Sequence, residues 1–316
     1  MHPSAALRAP IALLALLARL ARQEDLNFLL TNRLPRRWMS RTFARLSRIE
    51  HHGLTRLMVA IWRQFDPSLD LRDAADTDFP SVHAVFTRRL APGARTIDPD
   101  PAAVVSPCDG IVGAFGSIRG TELFQAKGFP YRLEDLLPDP ALVDRHRDGQ
   151  FITLRLTSGM YHRFHAPVDA VVPEVRYISG DTWNVNPIAL QRIERLFCRN
   201  ERVVLDLDIQ SPDAGGQAAI TIVPVAAILV AGVAFEGLTV TLHPEYRGVS
   251  RIPWGRRVRK GDELGRFEHG STILLFATGG FVFTPTVREG ARVRVGDALF
   301  RHPTRRWSAA SHAEVH

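Results

Sequence analysis

The segment Phe151–Thr157, FITLRLT, has the composition of a short β-strand. Runs of this kind, rich in β-branched and aromatic residues and bounded by Gly, Pro or Asp, indicate strands joined by turns. They recur from about residue 102 onward. The further runs are Ile111–Phe115, Val171–Ile178, Val203–Ile209, Ala219–Val225 and Leu238–Leu242. The sequence therefore predicts an α+β protein in which residues 66–316 form a mainly antiparallel, β-sandwich-like core.

A repeated pattern near the carboxyl end supports the same interpretation. V-x-x-G-D-x-L occurs at Val258–Leu264 and again at Val293–Leu299. The pattern predicts a strand, a tight Gly-Asp turn and a second strand. Biotinyl and lipoyl carrier domains look similar, but they present a modifiable lysine at a hairpin tip, whereas Lys260 lies inside the first turn motif. We therefore take the repeat as evidence for a β-sandwich-like core only.

Residues 1–65 are predicted to be helical, and they carry the excess positive charge of the protein. We expect helices over residues 11–64, broken near Asn32–Pro35 and at Gly53. Residues 1–63 contain eleven arginines and three acidic residues, a net charge of +8. Leu, Phe and Trp are interleaved with these arginines at helical spacing, which indicates amphipathic helices that dock on an anionic membrane surface. Arginine-bearing helices packed on a core are the alternative, and the absence of a nucleic-acid motif argues against nucleic acid.

Composition excludes or disfavours several classes of protein and site. No run of 18 apolar residues occurs, and Ala9–Ala18 is too short to span a membrane, so we expect a retained surface helix there. The chain has two cysteines, Cys108 and Cys198, which excludes a disulfide framework and a cysteine-rich zinc site. His162 and His165 have no further histidine or carboxylate donors close by in sequence, so no metal is expected.

Three segments carry side chains suited to chemistry. Asp109 lies in VSPCDG, ahead of a predicted strand. His162 and His165 lie in YHRFHAP, which follows a predicted strand. Ser271 lies in EHGST, at the start of another. The Asp109 and Ser271 segments alone are most simply turns, and the two histidines could be metal ligands, acid–base groups or buried core residues. An Asp, a His and a Ser at the ends of β runs can nevertheless form a relay, since such triads are defined by geometry.

These segments resemble, in their order, the bacterial phosphatidylserine decarboxylase proenzymes, and the resemblance runs from about residue 34 to 300. No single motif is decisive, but the ordered set is highly specific. The motifs that carry it are FTRRLAPGARTIDPDP (86–101), SPCDGIV (106–112), QAKGFPYRLEDLL (125–137), YHRFHAP (161–167), NVNP (184–187), LFCRNERVV (196–204), KGDELGRF (260–267) and GST (270–272).

The resemblance implies a self-processing zymogen. In that family the serine of the GST motif cuts its own chain and becomes an N-terminal pyruvoyl group. The cleavage site here would lie between Gly270 and Ser271. Cleavage would leave a β chain of residues 1–270 and an α chain of residues 271–316, associated as a heterodimer.

The resemblance also implies roles for three more residues. Asp109 and His165 match the other relay members, so that His165, oriented by Asp109, would deprotonate the serine. His162 matches a histidine that the family places beside the substrate carboxylate. Loss of CO₂ from an amino acid leaves a carbanion that needs an electron sink. A pyruvoyl group supplies that sink without a lysine, and this chain has just two, Lys127 and Lys260.

The implied reaction is decarboxylation of phosphatidylserine to phosphatidylethanolamine by a peripheral protein at the cytoplasmic side of a bacterial inner membrane. The expected partners are this phospholipid and an anionic membrane surface. Two alternatives stay open: a pyruvoyl enzyme for a soluble amino acid, and a non-enzymatic β-sandwich carrier or scaffold. The sequence departs from the family pattern at His269, Met160 and Ala226, none of which belongs to the relay.

Overall fold

The computed structural model describes residues 36–124, 129–209, 218–227, 232–243, 245–268 and 271–302. Within them, the helices are α1 (Arg36–Leu46), α2 (His52–Phe65), α3 (Val82–Phe86), α4 (Leu133–Leu136), α5 (Pro140–His146), α6 (Pro187–Arg192) and α7 (Leu196–Arg199). The strands are β1 (Ala103–Val105), β2 (Gly110–Ser117), β3 (Glu122–Phe124), β4 (Pro130–Arg132), β5 (Gln150–Leu156), β6 (Arg163–His165), β7 (Ala170–Ile178), β8 (Arg202–Asp208), β9 (Ala219–Ala226), β10 (Val233–Phe235), β11 (Thr241–Leu242), β12 (Arg251–Val258), β13 (Glu263–Phe267), β14 (Ser271–Ala277), β15 (Val282–Phe283), β16 (Arg292–Val293) and β17 (Ala298–Arg301).

An eight-stranded antiparallel sheet forms the centre of the β-rich domain, in the order β12-β7-β8-β9-β14-β5-β2-β16. Strand β14 is buried at every residue and pairs along its whole length with β5 and β9. Its sequence STILLFA is nearly continuously apolar because both faces of the sheet are covered. The predicted cleavage site therefore lies at the first residue of the central strand, where Ser271 pairs with Leu156 and Ala226.

Two smaller sheets and a group of short helices cover the two faces of the central sheet. A four-stranded sheet, β11-β10-β13-β6, and a three-stranded sheet, β1-β17-β15, pack over one face. Phe164 and Phe267 meet there with ring centroids 5.4 Å apart, and burial of each ring is worth about 1.5–3 kcal/mol. Helices α4 to α7 supply Leu136 and Phe197 to a second core on the other face. The predicted α+β, β-sandwich-like architecture is confirmed.

One of the predicted strands is wrong in extent. The structure contains a hairpin of β10 and β11 in place of a strand over Leu238–Leu242. Gly237, with φ +81°, turns the chain where the strand was expected to begin. Leu238 and Val240 pack against the core from this turn region, so their apolar character reflects burial of a loop.

The helical layer α1–α3 differs from the prediction at its break. Gly53 lies inside the first turn of α2, and the chain bends earlier, between the end of α1 and His51. His51 caps α2 because its Nδ1 accepts a hydrogen bond from the amide of Leu54. The predicted break near Asn32–Pro35 and the surface helix around Ala9–Ala18 lie outside the described residues. Among those described, no helix is long and apolar enough to cross a membrane.

The repeated V-x-x-G-D-x-L pattern forms the predicted strand–turn–strand unit twice, as β12–β13 and β16–β17. Gly261 and Gly296 adopt φ values of +91° and +95° at the two turns. In each turn the following aspartate, Asp262 or Asp297, accepts a hydrogen bond from the amide three residues earlier. Both glycines abut Ile97, which a Cβ at either position would approach within 3 Å. The turns therefore pack side by side on one residue.

Candidate active site

Ser271 begins β14 and is 1% exposed. Its Oγ has no hydrogen-bond partner among the described residues; Gly270 and His269 lie outside them. A buried hydroxyl without a partner costs free energy, and such groups often mark functional sites. Strand β2 begins, β5 ends and β14 begins at the same end of the sheet, because the three are antiparallel neighbours. Ser271 is therefore at a sheet end to which several loops converge.

A cavity of about 700 Å³ opens beside Ser271. Its apolar wall comes from helices α1, α2 and α3, and its polar wall from the chain after β5 and from the NVNP segment. The apolar lining residues are Phe43, Met58, Ile61, Trp62, Phe65, Val82 and Phe86, and the polar ones include Asp66, Arg155, Ser158, Asn184 and Asn186. The size and mixed lining suit an amphipathic ligand.

Asp66 attaches the helical layer to the polar wall of this cavity. Its carboxylate accepts hydrogen bonds from Ser158 Oγ at 2.7 Å, from the amide of Gly159 at 2.8 Å and from Ser68 Oγ at 2.5 Å. Burial opposes ionisation, but these bonds outweigh it and the pKa of Asp66 is lowered. Trp62 Nε1 donates to Ser158 Oγ at 3.0 Å. The Asp66 carboxylate is therefore fully engaged within the protein.

His162 is completely buried next to the cavity. Its Nδ1–H donates to the carbonyl of Met160 at 2.9 Å, which leaves the lone pair on Nε2. That Nε2 has no partner among the described residues. The ring packs against Phe86, which lines the cavity, with centroids 4.0 Å apart and the ring planes tilted by 38°. Burial lowers the pKa of His162 to about 3, so the imidazole is neutral at pH 7.

His165 ends β6 and is also held as a neutral imidazole. Its Nδ1–H donates to the carbonyl of Gly261 at 2.9 Å, and the hydroxyl of Tyr161 donates to Nε2 at 3.1 Å. Burial lowers the pKa of His165. The Nε2 lone pair is therefore basic and oriented, with Tyr161 as its partner in the uncut chain.

Asp109 precedes β2 and is held by an arginine. Arg95 donates to both carboxylate oxygens, from Nε to Oδ1 at 3.0 Å and from Nη2 to Oδ2 at 2.5 Å. The amide of Val295 donates to Oδ1 at 3.0 Å. Burial disfavours the charge of Arg95, but its bonds to Asp109 and Asp73 prevail and raise its pKa. These three hydrogen bonds hold the Asp109 carboxylate in a fixed orientation.

The structure brings the three predicted relay segments together without joining their side chains. The amide of His165 donates to the carbonyl of Pro107 at 2.7 Å, two residues from Asp109. Asp109, His165 and Ser271 are all described, and no hydrogen bond links any two of their side chains. In the uncut chain, Tyr161 occupies the His165 nitrogen that would act on the serine.

Sequence reasoning missed Arg95 and Tyr161 as site residues, and it undervalued the repeat. The Gly261 carbonyl contacts His165 and the Val295 amide contacts Asp109, so one turn of the repeat holds His165 and the other holds Asp109. The repeat itself was the available signal. Nothing in the local pattern distinguished Arg95 from the other arginines of its segment.

Glu268 is a further buried carboxylate, two residues before Gly270. It pairs with Arg48 at 2.9 Å, with His83 at 3.2 Å and with Arg266 at 3.3 Å. Arg48 follows α1 and His83 lies in α3, so Glu268 ties the helical layer to the chain entering the cleavage site.

Other candidates for chemistry are set aside by their surroundings. Cys108 is fully buried, and burial raises the pKa of its thiol, so it is inert as a nucleophile. Lys260 donates from Nζ to the carbonyl of Asp100 at 2.6 Å. Within the described ranges, no group of three His, Cys, Asp or Glu side chains is placed to hold a metal ion. Of the departures from the family pattern, Met160 is buried and Ala226 pairs with Ser271, while His269 lies outside the described residues.

Comparison with known proteins gives one consistent result. Residues 82–301 match the family model for phosphatidylserine decarboxylase. The chain is 38% identical over 280 residues to a phosphatidylserine decarboxylase proenzyme of Halorhodospira halophila, covering 85% of this chain and 91% of that protein. It is 34% identical over 271 residues to the proenzyme of that name from Marinobacter nauticus, covering 84% and 93%. A third, from Alcanivorax borkumensis, is 35% identical over 275 residues, covering 84% and 92%.

The match spans more than half of the chain and includes the segments of Asp109, His165 and Ser271. It confirms the predicted resemblance, and it favours an enzyme over a carrier or scaffold. This chain belongs to the phosphatidylserine decarboxylase family.

Proposed function

We propose that this chain is a zymogen that cuts itself between Gly270 and Ser271 and then decarboxylates phosphatidylserine through a pyruvoyl group made from Ser271. The observation that carries the proposal is the position of Ser271. It is a buried serine at the start of the central strand, with an Oγ that no described residue engages, beside a cavity with an apolar wall. A carbonyl at this position would face this cavity, whose mixed lining suits an amphipathic lipid.

Processing uses the neutral imidazole of His165 as its base. Nε2 of His165 gives up its hydrogen bond with Tyr161, accepts one from the Ser271 hydroxyl and then takes the proton of that hydroxyl. Oγ then forms a bond to the carbonyl carbon of Gly270, and the peptide C–N bond breaks as the nitrogen is protonated, which gives an ester. Removal of the Cα proton and breakage of the Cβ–Oγ bond release the Gly270 carboxylate. One water then converts the resulting dehydroalanine to a pyruvoyl group and ammonia.

Asp109 serves this step through charge and position. Arg95 and the Val295 amide fix its carboxylate. Asp109 is two residues from Pro107, whose carbonyl accepts a hydrogen bond from the His165 amide. An ionised carboxylate near an imidazole stabilises the imidazolium that forms when the serine loses its proton. Burial lowers the pKa of His165, and the hydrogen bond to Gly261, then the charges of Glu263 and Asp109, oppose that lowering.

The pyruvoyl carbonyl would accept the electron pair left on the substrate when CO₂ departs. Among the described residues no lysine lines the cavity to provide an alternative sink, and Lys260 donates to a backbone carbonyl elsewhere. His162 contributes through its neutral state. With a pKa of about 3 it offers a carboxylate no positive charge, so a carboxylate placed against it is favoured to leave as neutral CO₂.

After cleavage the two chains would stay together as a heterodimer. The α chain, residues 271–316, begins with β14, which forms a full ladder with β5 on one side and β9 on the other. Two of its other strands also pair with the β chain, β16 with β2 and β17 with β1. Separation would expose the centre of the sheet, so the α chain is retained.

The helical layer suits a membrane-bound substrate. Helices α1 and α2 and the turn between them expose large apolar side chains, and basic residues are interspersed among them. The exposed apolar residues are Leu46, Ile49, Leu54, Leu57, Met58 and Phe65. Arg45, Arg56 and Arg63 add positive charge, each worth about 1 kcal/mol near an anionic surface. We infer peripheral attachment at the cytoplasmic side of the inner membrane; a soluble amino-acid substrate would need no such surface.

The test compares three purified proteins: the unaltered chain, Ser271→Ala, and Ser117→Ala as a control that loses an exposed hydroxyl at the far end of β2. Each is assayed by denaturing electrophoresis and for CO₂ release from phosphatidylserine vesicles. We expect cleavage and CO₂ from the unaltered chain and from Ser117→Ala, and neither from Ser271→Ala. Cleavage of Ser271→Ala contradicts the site, and a cleaved chain that releases no CO₂ contradicts the reaction.

A further inference from the structure

Arg155 is a cation without a partner beside the proposed reaction centre. It is the one positively charged residue among those described that line the cavity next to Ser271. Its guanidinium forms no hydrogen bond or ion pair with any described residue, although most other partly buried arginines here do. Burial lowers its pKa, and the charge of Asp66, acting without a direct contact, offsets this cost only in part. An unpaired, half-buried guanidinium is a candidate anion-binding group.

The carboxylates near Arg155 do not neutralise it. Asp66 lines the same cavity and acts on Arg155 only at longer range, because its oxygens are taken by Ser68, Ser158 and Gly159. Glu289 shares a smaller pocket of about 240 Å³ with Arg155, but it is exposed and makes no ion pair with it.

The position of Arg155 relative to Ser271 is fixed by the sheet register. Arg155 pairs with Thr272, and Leu156 pairs with Ser271. Arg155 and Leu156 point to opposite faces of β5, yet both line the cavity because it wraps around the end of the strands. The Thr272 hydroxyl is buried and has no partner among the described residues, so a second hydrogen-bonding group stands unpaired opposite Arg155.

We propose that Arg155 binds the phosphodiester of the lipid substrate and thereby sets the distance of the head group from residue 271. This inference rests on the proposed function. Four bonds separate the amino nitrogen of phosphatidylserine from its phosphorus, a span of ~5 Å, and neighbouring strands lie about 5 Å apart. With nitrogen at residue 271, the phosphate lies within reach of the next strand, while the glycerol and acyl chains face the apolar wall of α1 and α2. A planar guanidinium matches a phosphodiester in bidentate geometry.

The substrate has a second anion, its carboxylate. The course of the reaction shows which of the two anions Arg155 can bind without slowing catalysis. A cation paired with the carboxylate would stabilise the charge that the reaction must remove, and so would slow the loss of CO₂. The phosphodiester keeps its charge from substrate to product. Binding it is therefore uniform binding, which lowers KM and leaves kcat unchanged.

The first test measures binding in the uncut Ser271→Ala chain, where no processing or turnover is needed. Trp62 lines the cavity, so ligand binding is followed by tryptophan fluorescence. The probes are dihexanoyl phosphatidylglycerol below its micelle concentration, dihexanoylglycerol, which lacks the phosphate, and inorganic phosphate. The proteins carry Arg155→Met, Arg155→Lys or Arg119→Met. Arg119 is exposed and distant in sequence, so its replacement is a control that removes the same charge elsewhere.

We expect Arg155→Met to weaken phosphatidylglycerol binding about tenfold to a hundredfold, Arg155→Lys to weaken it less, and Arg119→Met to leave it unchanged. Dihexanoylglycerol should bind weakly and equally to all, and inorganic phosphate should bind Arg155 far more weakly than the lipid does. Equal lipid binding by Arg155→Met and Arg119→Met overturns the inference. If inorganic phosphate alone binds as tightly as the lipid, the ligand of Arg155 is free phosphate and the lipid assignment is overturned.

The second test uses the processed enzymes in uncharged mixed micelles of fixed total lipid. Arg155→Met should raise KM for phosphatidylserine about tenfold or more with kcat within about twofold. A fall in kcat at unchanged KM would assign Arg155 to the reacting carboxylate and overturn the inference. If the unaltered chain neither cleaves nor releases CO₂, the proposed function fails, whereas the binding result in Ser271→Ala still decides the role of Arg155.

Discussion

Strand β14 and helix α2 lie on either side of the same cavity, and they are held in opposite ways. Every residue of β14 is buried, and hydrogen-bond ladders run along both of its edges. Helix α2 has 14 residues, of which Thr55 and Val59 are buried. The layer around α2 is joined to the rest largely by polar links, such as Asp66 with Ser158 and Arg48 with Glu268.

The difference separates two tasks. Self-cleavage needs a serine and a base held rigidly, and the interior of the sheet supplies that rigidity through packing. Lipid capture needs a surface that keeps apolar side chains exposed, and such a surface cannot also be buried in a core. Changes in the sheet should therefore abolish processing, whereas changes in the helical layer should spare processing and weaken lipid binding.

The largest effect is expected at the relay in the sheet. His165→Ala removes the base and Asp109→Asn removes the charge that stabilises it, so each should slow processing by about 10²-fold or more. The measurement is the fraction of full-length chain against time after synthesis. Asp73→Asn is the control, because Asp73 also pairs with Arg95 but does not contact the relay. Normal cleavage in either relay variant removes that residue from the processing step.

The next effect falls at the border between the two regions. His162 contacts Phe86 of the cavity wall and has no described partner on Nε2. His162→Ala should be cleaved normally, because His165 is intact. It should release CO₂ at least about 10²-fold more slowly, because alanine removes the neutral, polar Nε2 that would meet the substrate carboxylate. Electrophoresis and CO₂ release on the same sample separate the two outcomes. A cleaved variant with normal turnover would make His162 a purely structural residue.

A smaller effect is expected at the exposed face of α2. Leu54→Ser with Leu57→Ser removes two exposed apolar side chains and should weaken binding to anionic vesicles about tenfold, with processing unchanged. Val249→Ser, exposed on the β-rich domain, is the matched control. Deletion of residues 1–30 should weaken binding further, and high salt should release only part of the unaltered protein, since salt does not screen the apolar contribution. Undiminished vesicle binding by these variants contradicts the membrane role of the layer.

The smallest effect is a pH dependence of stability in the sheet domain. Burial lowers the pKa of His146 to about 3, against about 6.5 in an unfolded chain. Below pH 6.5 the unfolded chain binds a proton that the folded chain does not, so the free energy of unfolding falls as the pH falls. From pH 7 to pH 5 the loss is about 2 kcal/mol for this residue. Urea unfolding of Ser271→Ala should show a steeper fall than His146→Met in the same background; equal slopes would contradict a neutral buried His146.

The sequence was sufficient for the parts of the molecule that depend on local pattern. Strand runs such as Phe151–Thr157 and the Gly-Asp turns at Gly261 and Gly296 appear where composition predicts them, because turn and strand chemistry is local. The turn at Gly237 was missed, since the apolar residues after it pack against the core from a loop. The cap at His51 was missed for a similar reason: a single side-chain hydrogen bond moved the helix boundary.

The site was predictable in its residues and unpredictable in its contacts. The resemblance singled out Asp109, His165 and Ser271, and the structure places their segments at one end of the sheet. The partners that hold them, Arg95 and Tyr161, depend on tertiary contacts that no local pattern encodes.

The central claim is that Ser271 becomes the blocked first residue of a separate chain, and the intact mass of the purified, unaltered protein tests it most directly. We predict two species: residues 1–270, and residues 271–316 with a mass lower by one ammonia than the peptide beginning with serine. A single chain of 35.2 kDa, or a fragment that starts at any other residue, would contradict the account.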